Sequence, residues 1–269
     1  MAWRLRRMAG AMFVIALGLA PALGQLSAAD STTPARAARK SGAEFMSEST
    51  RLMQRDDTQN PAMLWVSGGE AQWSTKAGVA AKACADCHGD AGASMRGVAA
   101  RYPAFDQESA TVITLGQRID QCRRQRQQAA PLKPESEDAL GLESYVALQS
   151  RGLPLAPPQD VQTRAAAARG REIFFRRTGQ LNLSCAQCHD QNWGGKLAGA
   201  PIPQGHSNAY PIYRLEWQGM GSLQRRLRNC MSGVRAEVPP FGAQVFVELE
   251  AYLADRARGM PLETPGVRP

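Results

Sequence analysis

Two stretches of this 269-residue chain carry residue types suited to redox chemistry, Cys84-Ala-Asp-Cys-His88 and Cys185-Ala-Gln-Cys-His189. Two thiols three apart, followed directly by an imidazole, suit covalent attachment of a haem: the thiols bond the porphyrin edge and the histidine binds iron. A lone CxxC also serves zinc or thiol redox chemistry, but two copies, each with its adjacent histidine, argue against both. Cys84, Cys87, Cys185 and Cys188 are therefore the expected covalent anchors, and His88 and His189 the expected axial ligands, of two haem c groups.

Each iron then takes a second axial donor. The remaining histidine, His206 in Pro203-Gln-Gly-His-Ser-Asn-Ala-Tyr210, reads as a pocket or packing residue. Met95, Met220 and Met231 are candidates by position, although Met231 would compete with the adjacent Cys230 and Met220 has no counterpart in the other half. Cys122 and Cys230 do recur. Leu115-Gly-Gln-Arg-Ile-Asp-Gln-Cys122 and Leu223-Gln-Arg-Arg-Leu-Arg-Asn-Cys230 both fit Leu-x-x-Arg-(Ile/Leu)-x-x-Cys. This predicts His88/Cys122 ligation at the first haem and His189/Cys230 at the second, where an anionic sulfur stabilises ferric iron and lowers its potential. The competing use of two spare cysteines is a Cys122–Cys230 disulfide, which their matched places in a repeat disfavour.

Arg118 and Arg226 stand four residues before these cysteines, one helical turn away on the same face. In the second half Arg225, Arg228 and Arg235 add positive charge. A guanidinium beside a thiol lowers its pKa and can hold an anionic oxygen group through paired hydrogen bonds. Most of these arginines have a plainer use, pairing with haem carboxylates or solvent. Cys230 with Arg226 is nevertheless the expected reactive pair.

The elements that position these residues repeat in fixed order. Gly69 and Gly170 each lie 15 residues before the first motif cysteine and are expected to open a short helix bearing Trp73 or Phe174-Phe175. The haem motif, the cysteine helix and a closing helix, Leu142-Glu-Ser-Tyr-Val-Ala147 or Leu249-Glu-Ala-Tyr-Leu-Ala254, follow in both halves. Two copies of one unit are implied, and the expected fold is all-α: two tandem cytochrome c-type domains behind an N-terminal extension. The extension and first haem domain span 30–150, a Pro-rich linker 151–165, and the second haem domain 166–269. Phe45, Met46, Leu52 and Met53 fall at helical spacing, whereas Met63-Leu-Trp-Val66, ended by Gly68-Gly69, reads as a strand or buried turn.

Residues 1–29 read as a secretory signal: Arg4, Arg6 and Arg7, an apolar run from Met8 to Leu23, and Ser27-Ala-Ala29 as a cleavage site. The apolar run is short for a bilayer span, so no stable membrane span is expected after cleavage. Removing these three arginines lowers the net charge from +8 to +5. Basic residues are dispersed, which does not point to nucleic acid and suits an anionic small substrate or an acidic partner.

These residues resemble the sulfur-oxidation cytochrome SoxA family, in its dihaem form. The resemblance runs from about Ser41 to Leu253 and rests on Met53-Gln-Arg-Asp-Asp-Thr-Gln-Asn-Pro61, Met63-Leu-Trp-Val66, Cys84-x-x-Cys-His88-Gly-Asp90, Arg96-Gly-Val-Ala-Ala-Arg-Tyr-Pro-Ala-Phe105, Gln149-Ser-Arg-Gly152, Tyr210-Pro-Ile-Tyr-Arg-Leu-Glu-Trp217 and Arg226-x-x-x-Cys230. It implies a periplasmic L-cysteine S-thiosulfotransferase subunit paired with a SoxX cytochrome. Thiosulfate would be joined to a cysteine of the SoxYZ carrier, with two electrons passed to a cytochrome c acceptor. By position, Cys122 would be the axial thiolate of the first haem, Cys230 the catalytic cysteine persulfide and axial ligand of the second, and Arg226 the substrate-binding arginine. Asp120 departs from the family's expected Asn but touches none of these roles. Two other readings share the residues: a dihaem electron carrier without substrate chemistry, and a thiosulfate dehydrogenase that forms tetrathionate.

Overall fold

Two crossed helix pairs carry the molecule, and each crossing is made possible by glycine. The computed structural model describes residues 38–269; the secretory signal expected at 1–29 lies outside the described residues. In the first pair α2 (Met63–Ser74) packs on α6 (Glu137–Leu148), and in the second α7 (Val161–Phe175) packs on α10 (Gln244–Arg256). A Cβ on Gly69 would lie 2.1 Å from the Gly141 carbonyl oxygen, and one on Gly170 would lie 1.9 Å from that of Glu248. Both glycines therefore sit inside helices, at the point of closest approach, rather than opening them. The run Met63–Val66 is likewise the first turn of α2 and not a strand. Gly68-Gly69 read as a terminator from sequence, but packing outweighs the roughly 1 kcal/mol that glycine costs in a helix interior.

Between the members of each pair the same elements recur. One-turn helices α3 (Ala85–His88) and α8 (Cys185–His189) carry the haem motifs; in the first half α4 (Ala91–Ser94) follows. A short hairpin comes next, β1 (Ala104–Asp106) with β2 (Thr111–Ile113) in the first half. In the second half β3 (Lys196–Leu197) and β4 (Ala200–Pro201) form an extra hairpin before β5 (Ile212–Arg214) and β6 (Gly219–Gly221). The cysteine helices α5 (Leu115–Cys122) and α9 (Leu223–Gly233) follow. Each main hairpin opens at a cis Tyr-Pro bond, Tyr102-Pro103 and Tyr210-Pro211. The cores match as well: Trp73, Leu115, Leu142 and Val146 in one, Phe174, Leu223, Leu249 and Leu253 in the other. Each such side chain, when fully buried, contributes roughly 1.5–3 kcal/mol.

The fold is thus predominantly helical but not all-α. The strands are three residues long or less, too short for an alternation of apolar and polar residues to register in the sequence. A last strand, β7 (Gly266–Arg268), runs parallel to β5 and completes a three-stranded sheet in the order β6-β5-β7. It also rests against α1 (Glu48–Arg55), whose Gln54 Oε1 accepts from the Val267 amide at 3.0 Å.

Residues 151–160 lack regular structure, and α7 begins at Val161, capped by Asp160, inside the span expected as linker. This connector is tied down: Gly152 N donates to Leu262 O at 2.8 Å, Leu155 N to Met260 O at 2.9 Å, and Pro154 bridges Pro261. A cavity of about 610 Å³ lies between the halves, lined among others by Glu135, Glu143, Gln224 and Glu250. Burial, then the charges of neighbouring acids, pushes Glu143 up to about 8. Glu250, where the Gln224 amide donates to the carboxyl at 2.8 Å, is pushed by burial up to about 7. Among the described residues no helix is long and apolar enough to cross a membrane.

Candidate functional site

Local hydrogen bonds set each motif at the start of a helical turn. Ser184 caps α8 by accepting from the Gln187 amide at 3.3 Å, while Gln187 Oε1 accepts from the Ser184 amide at 2.9 Å, a reciprocal capping box. Cys185, Cys188 and His189 then share one short helix. His189 Nδ1 lies 2.7 Å from the Pro203 carbonyl oxygen. A carbonyl only accepts, so Nδ1 donates to it and Nε2 is the ring nitrogen left to face a metal. Gly205 stands over the ring: at its φ of 72°, a Cβ would come within 3.1 Å of the imidazole. The loop is held in turn by Gln204, whose side-chain oxygen accepts from the Lys40 amide at 2.8 Å and lies 3.1 Å from His206 Nε2. His206 thus belongs to the support of the histidine loop. Asp190 pairs with Arg256, whose guanidinium stacks over Phe174 at 5.2 Å.

No two of the six cysteines are joined as a disulfide. Cys230 adjoins Cys185 and His189, and Cys122 adjoins Cys84 and Cys87, so the two spare cysteines stand at different motifs and form no disulfide. Trp73 packs beside His88 with ring centres 5.8 Å apart, as Phe174 does beside His189 at 6.5 Å. Met220 is buried in a core with Ala62, Leu140, Tyr213 and Val267, away from both motifs. Met95 packs near Cys84 and Met231 near Cys185.

The donor set fits haem c at both places: a paired-thiol attachment turn with its adjacent imidazole, in the second half with Nδ1 taken by the Pro203 carbonyl, and a further sulfur beside each motif.

The two cysteines differ electrostatically. Burial raises the Cys122 thiol, and Arg118 and Arg126 offset only part of this. At Cys230 burial also acts upward, but the hydrogen bond with His189 and the charges of Arg226, His189 and Arg214 outweigh it and leave the thiol below its ordinary range.

The arginines explain the difference. In the first half Arg118 is fully engaged: Nη2 meets Asp106 at 2.7 Å, Nη1 meets Gln121 at 2.8 Å, and Nε meets the Tyr102 hydroxyl at 3.2 Å. In the second half, among the described residues, no side-chain or carbonyl acceptor takes a hydrogen bond from the Arg226 guanidinium. Its companions are used elsewhere. Arg225 stacks on Trp217 at 4.2 Å and donates to the Met220 carbonyl, and Arg228 donates to the Pro239 carbonyl and stacks on Phe241. Arg235 is exposed beyond α9. Sequence reasoning passed over Tyr210, Arg214, Asp106, Pro203 and Gly205; the repeated Tyr-Pro dipeptide was the signal that aligns the first three.

Helix, attachment turn, cysteine helix and closing helix, twice over, define a tandem cytochrome c-type protein. The sequence model of the SoxA/TsdA cytochrome c domain matches residues 68–155 and again 169–262. The chain belongs to the SoxA family. It is 38% identical over 229 residues to the L-cysteine S-thiosulfotransferase subunit SoxA of Pseudaminobacter salicylatoxidans, covering 85% of this chain and 80% of that protein. The SoxA subunit of Rhodovulum sulfidophilum is 34% identical with the same coverage. Among solved structures, the crystal structure of SoxXA from P. pantotrophus is similar at a TM-score of 0.83 and 34% identity, over 86% of this chain and 87% of that one.

Proposed function

We propose that this chain is the catalytic subunit of a periplasmic L-cysteine S-thiosulfotransferase, with two haem c groups held in units spanning 30–150 and 166–269. The observation that carries it is Arg226, a half-buried guanidinium beside Cys230 that no acceptor engages among the described residues, where its counterpart Arg118 is closed off by Asp106. An uncompensated cation next to a thiol of lowered pKa is suited to receive a small sulfur dianion.

Cys84, Cys87, His88 and Cys122 would hold the first haem, and Cys185, Cys188, His189 and Cys230 the second. When bound, haem supplies a one-electron acceptor next to Cys230. Arg226 binds the sulfonate oxygens of thiosulfate and orients its outer sulfur. Cys230, carried as a persulfide, handles the sulfane sulfur; the Pro203 carbonyl fixes the His189 tautomer. The net reaction joins thiosulfate to the thiol of a SoxYZ-type carrier. One sulfur–sulfur bond forms, the thiol proton is released, and two electrons leave towards a cytochrome c acceptor through a SoxX-type partner.

The test is the mass of the Cys230 peptide from protein handled without reductant, together with turnover of Cys230→Ala. One extra sulfur on Cys230 and loss of conjugation are expected. Retained conjugation by Cys230→Ala would return the chain to the electron carriers, and product formation without the carrier protein would favour tetrathionate formation.

A further inference from the structure

The two hairpins align position by position from their Tyr-Pro dipeptides, so β1 residue Asp106 corresponds to β5 residue Arg214. In the first half this position supplies the acid that closes Arg118, with Gln121 Nε2 also donating to it at 3.1 Å and Ser109 at 2.7 Å. In the second half the same two positions hold two arginines. The scaffold that brings Asp106 and Arg118 into contact therefore brings Arg214 and Arg226 to one place, beside Tyr210 and Cys230, whose charges it feels.

Arg214 is 9% exposed. Its Nε donates to the main-chain oxygen of Pro269 at 2.8 Å, its Nη2 pairs with Glu216 at 2.7 Å, and its face stacks on Trp217 at 5.1 Å. Its Nη1 is buried with no hydrogen-bond partner among the described residues. Arg214 is thus held by Glu216 and Pro269 but keeps one buried donor open next to Arg226, a place that an arriving anion would complete.

We propose that Arg214 is a second substrate-binding residue: with Arg226 it forms a two-guanidinium clamp for the sulfonate end of a thiosulfate-type dianion. This rests on the function proposed above and adds the residue that selects for charge. The Arg226 fork together with the open Nη1 of Arg214, facing three sulfonate oxygens, would favour a tetrahedral dianion over a monoanion and leave the outer sulfur directed at Cys230. Sulfate, which presents the same oxygens without a sulfane sulfur, becomes a competitive ligand.

The experiment uses the haem-loaded chain in complex with its cytochrome partner, and sulfate as the binding probe. Arg214→Gln is expected to weaken sulfate binding, measured by titration calorimetry, and to raise the thiosulfate KM, each by about tenfold or more. The haem absorption spectrum should stay unchanged, and Arg214→Lys should recover most of the loss. Arg214→Asp is a fold-compatible control, since it recreates the Asp106–Arg118 pair against Arg226; it should lose sulfate binding by about a hundredfold. Unchanged sulfate binding and KM in Arg214→Gln would overturn the clamp. So would a shifted haem spectrum at unchanged KM, which would assign Arg214 to the haem carboxylates. Arg226→Met separates the two claims: if it retains full conjugation the proposed function fails, whereas if it alone loses conjugation only the role of Arg214 fails.

Discussion

The two halves of the molecule share a scaffold and differ in what that scaffold presents. Both cross their long helices at a glycine, both open a hairpin at a cis Tyr-Pro bond, and both place a cysteine at the same point of the following helix. In the first half Arg118 is neutralised by Asp106 and burial raises the thiol of Cys122. In the second, Arg214 replaces the acid, no acceptor among the described residues takes a hydrogen bond from the Arg226 guanidinium, and the Cys230 thiol is lowered. Duplicated backbone preserves geometry, while a single inverted charge separates an arginine closed by an acid from one with no acid paired to it among the described residues.

The largest expected effect separates the two cysteines. Cys230→Ala should abolish thiosulfate conjugation, by about a thousandfold or more, whereas Cys122→Ala should alter the spectrum of the haem proposed at the first motif and leave turnover within about tenfold. Equal losses in both would erase the distinction. Next come the helix crossings, where the halves should behave alike: Gly69→Ala and Gly170→Ala are each expected to destabilise by about 3 kcal/mol, read by thermal unfolding, because a Cβ would enter a facing carbonyl.

A smaller effect concerns the cavity between the halves. Glu143 is held at about 8 when folded, above its ordinary value, so its contribution to stability is intact below about pH 4.5 and is lost as pH rises towards 8. Glu143→Gln should flatten that decline in melting temperature between about pH 4.5 and 8; Glu250→Gln should do so less, its carboxyl being held at about 7. The smallest effect has the opposite sign. Asp106 is held low, first by the Ser109 hydroxyl and amide and then, against burial, by Arg118 and Gln121. Its contribution is present above about pH 4 and is lost as pH falls, so Asp106→Asn should remove part of the acid limb of the stability profile.

Much of this was legible in the chain. The paired CxxCH motifs, the shared Leu-x-x-Arg-x-x-x-Cys pattern and the closing helices picked out residues that the structure brings together in each half, because motif spacing and helical periodicity are written locally. The glycines of α2 and α7 were misread as boundaries, since their use is set by a helix about 70 residues away. The hairpins went unseen because three-residue strands carry no period. Arg214 escaped for a related reason: its meaning lies in the contrast with Asp106, which emerges only once Tyr102-Pro103 and Tyr210-Pro211 are laid over each other. The support of His189 by Pro203 depends on a loop that returns 14 residues later and leaves no pattern in sequence.

The connector at residues 151–155 has a mechanical consequence. Its hydrogen bonds to 259–262 make it a clasp instead of a hinge, fastening the join between the halves to the segment beyond the last helix. Swinging one half against the other would mean unzipping that ladder. The separation between the two attachment turns is therefore a fixed dimension of the molecule, and a chain nicked by protease in this stretch should still migrate as one particle.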